Sequence, residues 1–68
     1  MSATNFSDNL KRCRQRAKLT VQECASIAGV GIASWYKYES GDQWPTDPEK
    51  MDDIAGAVGV ATVRLFHS

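Results

Sequence analysis

The chain has 68 residues, of which 43% are apolar and 24% charged, and its formal net charge at pH 7 is zero. Because so short a chain buries only about 60% of its unfolded surface, we expect one small domain over residues 1–68. The apolar share excludes a disordered chain. No apolar run approaches the roughly 20 residues that span a bilayer, and no signal peptide is recognisable. We therefore expect a cytoplasmic protein without a membrane partner.

The charges are unevenly distributed along the chain. Residues 1–38 carry six basic and two acidic side chains, a net charge of +4, whereas residues 39–68 carry two basic and six acidic ones, a net charge of −4. A neutral chain with this asymmetry can still present a positive face to phosphate groups. The alternative is that both clusters are solvated helix faces.

Two cysteines and one histidine provide no set of four metal ligands. Cys13 and Cys24 lie at apolar positions of predicted helices, and His67 is the penultimate residue. We expect reduced core thiols, with a redox role as the alternative, and neither a metal, a cofactor nor a small-molecule ligand. No nucleophile–base pair and no phosphate-binding glycine loop can be recognised, so the sequence predicts no enzymatic activity.

Helical periodicity dominates the first segment. Phe6, Leu10, Cys13 and Ala17 recur at spacings of four, three and four residues, with basic residues between them, and Leu19 closes the segment. This spacing places the four residues along one face of a helix. The sequence predicts an amphipathic first helix.

Two short helices follow in the centre of the chain. Thr20 and Glu23 have the spacing of a capping box, which predicts a second helix over about 20–28 that ends at Gly29. A third helix is predicted over about 32–40, with Gly41 after it. A pair of short helices joined by a glycine-containing turn is a helix-turn-helix arrangement, whose second helix can enter a DNA major groove.

The last third of the chain is also predicted to be helical. Asp47-Pro48-Glu49 is a strong start signal for a fourth helix, because it combines a capping aspartate, proline at the first helical position and an acidic first turn. Its predicted buried face is formed by Met51, Ile54, Ala55 and Val58. Residues 61–66 can form one more short helix. The sequence thus predicts an all-α fold of five helices.

Several spaced residues in and around the central helix pair form a recognisable pattern. In chain order they are Leu19-Thr20-x-x-Glu23-x-Ala25-x-x-Ala28-Gly29-Val30, Tyr38-Glu39-x-Gly41, Ile54-Ala55-x-Ala57-x-Gly59-Val60 and Leu65-Phe66. This pattern resembles the phage Cro and C1 repressor family, also called the XRE family of transcriptional regulators. The resemblance runs from Phe6 to Phe66. It implies a compact five-helix domain, like that of lambda repressor, that binds double-stranded DNA.

The same resemblance implies roles for individual residues. Arg14 and Glu39 stand where family members commonly join the first helix to the end of the third by an ion pair, and Trp35 and Tyr38 match inward-facing positions. Base contacts are expected from the start of the third helix: Gly31, Ile32, Ala33, Ser34, Tyr36 and Lys37. Phosphate contacts are expected from Thr20, Val21, Gln22 and Gln43.

The role that the resemblance implies is that of a Cro-like repressor or autoregulator from a phage, prophage or mobile element, which binds its operator as a homodimer. An apolar cluster near the end of the chain is available for the dimer interface: Val60, Val63, Leu65 and Phe66. The alternative is that these residues close the core. For Trp44 a core-capping role, a protein contact and a DNA contact all remain open. The rival function is that of a protein-interaction module, such as an antirepressor or an antitoxin-like partner, without DNA binding.

Overall fold

In a computed structural model that describes residues 3–43 and 45–66, the chain is all-helical, with no strand among those residues. The elements are α1 (Ala3–Arg16), α2 (Val21–Ala28), α3 (Ile32–Ser40), α4 (Pro48–Ala57) and a C-terminal 3₁₀ helix (Thr62–Phe66). The all-α prediction is confirmed, whereas the count of five α-helices is not matched. The last segment contains only five residues and forms the tighter 3₁₀ turns that short helical pieces favour.

The core lies where all five elements meet. Helix α1 packs against α3 and the 3₁₀ helix, and α2 packs against α3 and α4. The largest fully buried side chains are Trp35, Phe6, Leu10, Ile54, Leu65 and Cys24. Because α3 contacts both α1 and α2, its orientation is set from two sides.

The position of Leu65 contradicts one prediction made from the sequence. It was assigned to the dimer interface, but its side chain is fully buried within the chain and cannot meet a partner. Its carbonyl oxygen also accepts a hydrogen bond of 3.0 Å from Nδ2 of Asn9 on α1. The 3₁₀ helix thus contributes Leu65 to the core.

Helix α1 ends earlier than its apolar periodicity predicts. Ala17 was placed on the inward face, but it is exposed, because α1 stops at Arg16 and the chain turns. Lys18 adopts a left-handed conformation with φ of 61°. The N–H group of Leu19 then donates to the carbonyl oxygen of Arg14 at 3.3 Å, which closes the turn.

The predicted caps of α2 are confirmed. The hydroxyl oxygen of Thr20 accepts from the N–H group of Glu23 at 3.1 Å, and the Glu23 carboxylate accepts from the N–H group of Thr20 at 2.8 Å. At the other end Gly29 has φ of 74°, and the N–H group of Val30 donates to the Ala25 carbonyl oxygen at 3.0 Å. This left-handed glycine lets α3 begin after only three intervening residues.

The remaining boundaries also follow local signals. Gly41, with φ of 85°, ends α3, and the Asp47 side chain accepts from the N–H group of Glu49 at 2.9 Å at the start of α4. None of the helices in the described ranges has the length and apolarity needed to cross a membrane. Trp44, whose role the sequence left open, lies outside the described residues.

Candidate nucleic-acid interface

Helix α3 has one buried and one exposed side. Trp35 is fully buried, and Tyr38 and Glu39 are half-buried against the rest of the domain. The opposite side is exposed and consists of Ile32, Ala33, Tyr36, Lys37 and Ser40. A helix exposed in this way can be inserted into a groove without unpacking the core.

A paired arginine and glutamate fix α3 against α1. The Arg14 Nε atom lies 2.5 Å from Oε2 of Glu39, and its Nη2 atom donates to Oε1 at 3.1 Å. The two side chains keep only 15% and 8% of their surface exposed. A planar guanidinium that engages both carboxylate oxygens restricts both distance and rotation. The pair therefore sets the angle at which α3 leaves α1.

Two further contacts, which sequence reasoning missed, extend this pair into a network. The indole N–H group of Trp35 donates to Oε2 of Glu39 at 2.6 Å, and Nη1 of Arg14 donates to the carbonyl oxygen of Leu19 at 3.0 Å. The spacing of Trp35 and Glu39, four residues apart on a helix, was the available signal. We call Arg14, Leu19, Trp35 and Glu39 the α1–α3 hub. It joins α1, the turn before α2 and the buried side of α3.

The Arg14 guanidinium is held in its charged state. The hydrogen bond to Glu39 raises the pKa of the Arg14 guanidinium, against the opposing effect of burial. Burial also raises the pKa of the neighbouring Cys24 thiol, so the thiol stays neutral beside the ion pair. Since the two charges of the pair cancel, Lys37 is the charged side chain that α3 presents to solvent.

The residues predicted to contact bases extend from Gly31, the N-cap of α3, to Lys37 on the same helix. Gly31, Ala33 and Lys37 are exposed, and Ser34 is half-buried. Ile32 retains 45% and Tyr36 58% of its surface, high values for large apolar side chains. The structure therefore brings these residues to one accessible surface, which we call the α3 face: Gly31, Ile32, Ala33, Ser34, Tyr36 and Lys37.

The residues predicted to contact phosphates differ in what they can offer. Gln22 and Gln43 are exposed. Thr20 caps α2, so its hydroxyl oxygen is already an acceptor, although its hydrogen can still be donated. The side chain of Val21 is buried, which leaves its backbone amide at the α2 N-terminus as the group that could face an anion.

The predicted dimer residues do not form one exposed cluster. Val63 is 60% exposed, Val60 is half-buried against the core, and Leu65 is buried as described above. The backbone of Phe66 belongs to the 3₁₀ helix, and its side chain lies outside the described part of the structure. Val63 is thus the member of this set that a partner could reach most easily.

A short helix, a glycine turn and a second helix with one free face, held in place by a third helix, define a helix-turn-helix domain. Residues 5–65 match the family model described as a helix-turn-helix domain. The chain therefore belongs to the helix-turn-helix domain family.

Comparisons with individual proteins agree with this family. The chain is 34% identical over 61 residues to YqaE of Bacillus subtilis (strain 168), which is named an uncharacterized HTH-type transcriptional regulator. The match covers 90% of this chain and 52% of YqaE, so the chain spans about half the length of that relative. The crystal structure of apo-HppE is similar with a TM-score of 0.84 and 23% identity, covering 96% of this chain and 36% of that one. At that identity the likeness concerns the fold.

Proposed function

We propose that this chain is a sequence-specific double-stranded DNA-binding domain of a transcriptional regulator. The observation that carries the proposal is the α3 face, which is exposed at the start of a helix whose other side is locked by the α1–α3 hub. A recognition helix must keep its angle while its N-terminal residues reach base edges. The name of the relative YqaE, an HTH-type transcriptional regulator, supports the same role.

The proposal extends to a Cro-like repressor or autoregulator of a phage, prophage or mobile element, which acts on its operator as a homodimer. The motif resemblance supports the first part. One small module buries only about 600–1,000 Å² on DNA, and a specific site usually needs two modules. Binding as a dimer is therefore favoured. The exposed Val63 supplies an apolar contact for it. A two-fold dimer would read half-sites about 34 Å apart.

A protein-interaction module is the second candidate. The zero net charge and the apolar character of Ile32 and Tyr36 favour it, because a helix-turn-helix domain that binds protein needs no positive surface. Salt dependence separates the two functions. DNA binding weakens steeply as salt rises, since cations released from phosphates must be recaptured. An interaction module would retain no duplex at any salt concentration.

The test is selection of bound fragments from random duplex DNA at low salt, followed by titration of the selected duplex with salt. We expect a recurring sequence and an affinity that falls linearly with salt on a double-logarithmic plot. Failure to enrich any sequence, with no duplex retained, would reject the DNA-binding function.

A point variant tests the assignment of the α3 face. Lys37→Ala should weaken specific binding by about 1–3 kcal/mol, the range for a lysine that contacts guanine, without changing the melting temperature. Lys11→Ala is the matched control, because it removes the same side chain from an exposed position on α1, which belongs neither to the α3 face nor to the residues predicted for the dimer interface. Equal effects of the two substitutions would show that Lys37 contributes general attraction and does not read a base.

A further inference from the structure

The α3 face is unusually apolar for a surface that would read DNA. Ile32, Ala33 and Tyr36 are exposed, and Lys37 is the charged residue among them. Ile32 lies four residues and Ala33 three residues before Tyr36, so the three side chains are neighbours on the helix surface. The first two have no hydrogen-bonding group. The beginning of α3 therefore offers a contiguous apolar patch.

The major groove presents few chemical features that match such a patch. Acceptors and amino groups dominate the base edges, and in unmodified DNA the apolar feature is the C5-methyl group of thymine. Loss of water from a methyl group and an exposed isoleucine is favourable, whereas pressing the isoleucine against an amino or carbonyl group leaves that group without a partner. The patch therefore favours a base that presents a methyl group, and it disfavours a base that presents an amino or carbonyl group at the same place.

On the basis of the proposed function, we infer that the exposed side chains of Ile32 and Ala33 cover the C5-methyl group of a thymine in each operator half-site, a contact that we call the methyl pocket. Lys37 lies one turn further along α3, about 6 Å from Ala33 along the helix axis. With base pairs about 3.4 Å apart, that distance places a guanine within about two base pairs of the thymine. The half-site therefore combines one thymine read through its methyl group with one nearby guanine read by Lys37.

The experiment uses the duplex obtained by selection and replaces each thymine singly by deoxyuridine, which removes the methyl group and leaves base pairing intact. One replacement should lower affinity about fourfold, the ratio for burial of one methyl-sized group. The Ile32→Ala variant should bind the unmodified duplex more weakly and lose its sensitivity to that replacement. In a second arm, 5-methylcytosine at the same position should bind more tightly than cytosine, because the methyl group is restored.

Ile27→Ala is the matched control. Ile27 is 62% exposed on α2, outside the α3 face, so this variant should keep the full sensitivity to deoxyuridine. If a duplex is selected but no thymine replacement changes affinity, the methyl pocket is wrong while the DNA-binding function stands. If Ile32→Ala remains as sensitive as the parent protein, the pocket does not involve Ile32. If no duplex is selected, the proposed function fails and the pocket fails with it.

Discussion

Removal of the Arg14 guanidinium tests whether the α1–α3 hub holds the domain together. In Arg14→Ala the Glu39 carboxylate, 8% exposed, loses both arginine hydrogen bonds and keeps the Trp35 indole N–H as a donor. Stranding one member of a buried pair costs about 3–5 kcal/mol. Since Arg14 itself is 15% exposed and water can enter its vacated place, we expect the lower end, about 3 kcal/mol.

A loss of that size is large for this domain. At about 0.05–0.15 kcal/mol per residue, its total stability is on the order of 3–10 kcal/mol. Each kcal/mol shifts the melting temperature of a small domain by about 4–8 °C, so Arg14→Ala should melt at least about 12 °C lower, as followed by far-UV circular dichroism.

The control for this variant is Arg12→Ala, which removes the same group from an exposed position on the same helix. It should change stability by no more than about 0.5 kcal/mol. The double variant Arg14→Ala/Glu39→Gln should be more stable than the sum of its single changes predicts, because the stranded charge is gone. If the melting temperatures of the Arg14 and Arg12 variants coincide, the ion pair has no structural role.

Five other outcomes follow from the local environment of single residues. Gly29→Ala should destabilise by about 1 kcal/mol, because φ is +74° while an added Cβ meets no atom within 4 Å; Gly56→Ala, within α4 and equally unobstructed, should stabilise by about 0.5–1 kcal/mol, and chemical denaturation measures both. In the native protein an alkylating reagent should modify the half-buried Cys13 well before the buried Cys24; equal rates would contradict the burial. The raised pKa of Cys24 favours the folded state below the ordinary thiol pKa of 9.0, so stability should fall as pH rises through the higher folded-state pKa, and Cys24→Ala should remove that component. Trp35→Phe should lower stability by about 1–3 kcal/mol in thermal melts, because it removes a hydrogen bond to a charged acceptor.

Much of the fold could be predicted because its boundaries are local. The capping box of Thr20 and Glu23, the left-handed Gly29 and the aspartate cap of α4 are signals contained within a few residues, and all three occur as predicted. The exposure of Ala17 could not be predicted, because the end of α1 lacks such a local signal. Apolar periodicity continues through it, but the turn at Lys18 ends α1 one residue earlier, and no residue of the usual C-capping kind marks that end.

The predictions that failed or stayed incomplete depend on contacts between distant segments. In the sequence, Leu65 is one of several apolar residues in the last helical segment. The sequence pattern does not indicate whether another helix covers its side chain, which is fully buried in the structure. The indole bond from Trp35 to Glu39 was missed because burial was the simplest interpretation of a tryptophan at that position. The indole N–H group finds an acceptor because the half-buried Glu39 carboxylate, which pairs with Arg14, lies within hydrogen-bond distance of it. Trp35 is therefore both a core residue and a hydrogen-bond donor within the hub.

The residues that orient α3 and the residues of the α3 face lie on different sides of the helix. Trp35 and Glu39 set the angle and rotation of the helix, and neither belongs to the α3 face. Ile32 and Lys37 lie on that face, outside the hub. Under the proposed function, a substitution at either of the latter should therefore change which base is favoured while the helix stays in place. A substitution in the hub displaces the whole face, so it should weaken binding to every sequence in similar proportion. The proposed function therefore predicts that base preference and helix orientation are separable properties of the same nine-residue helix.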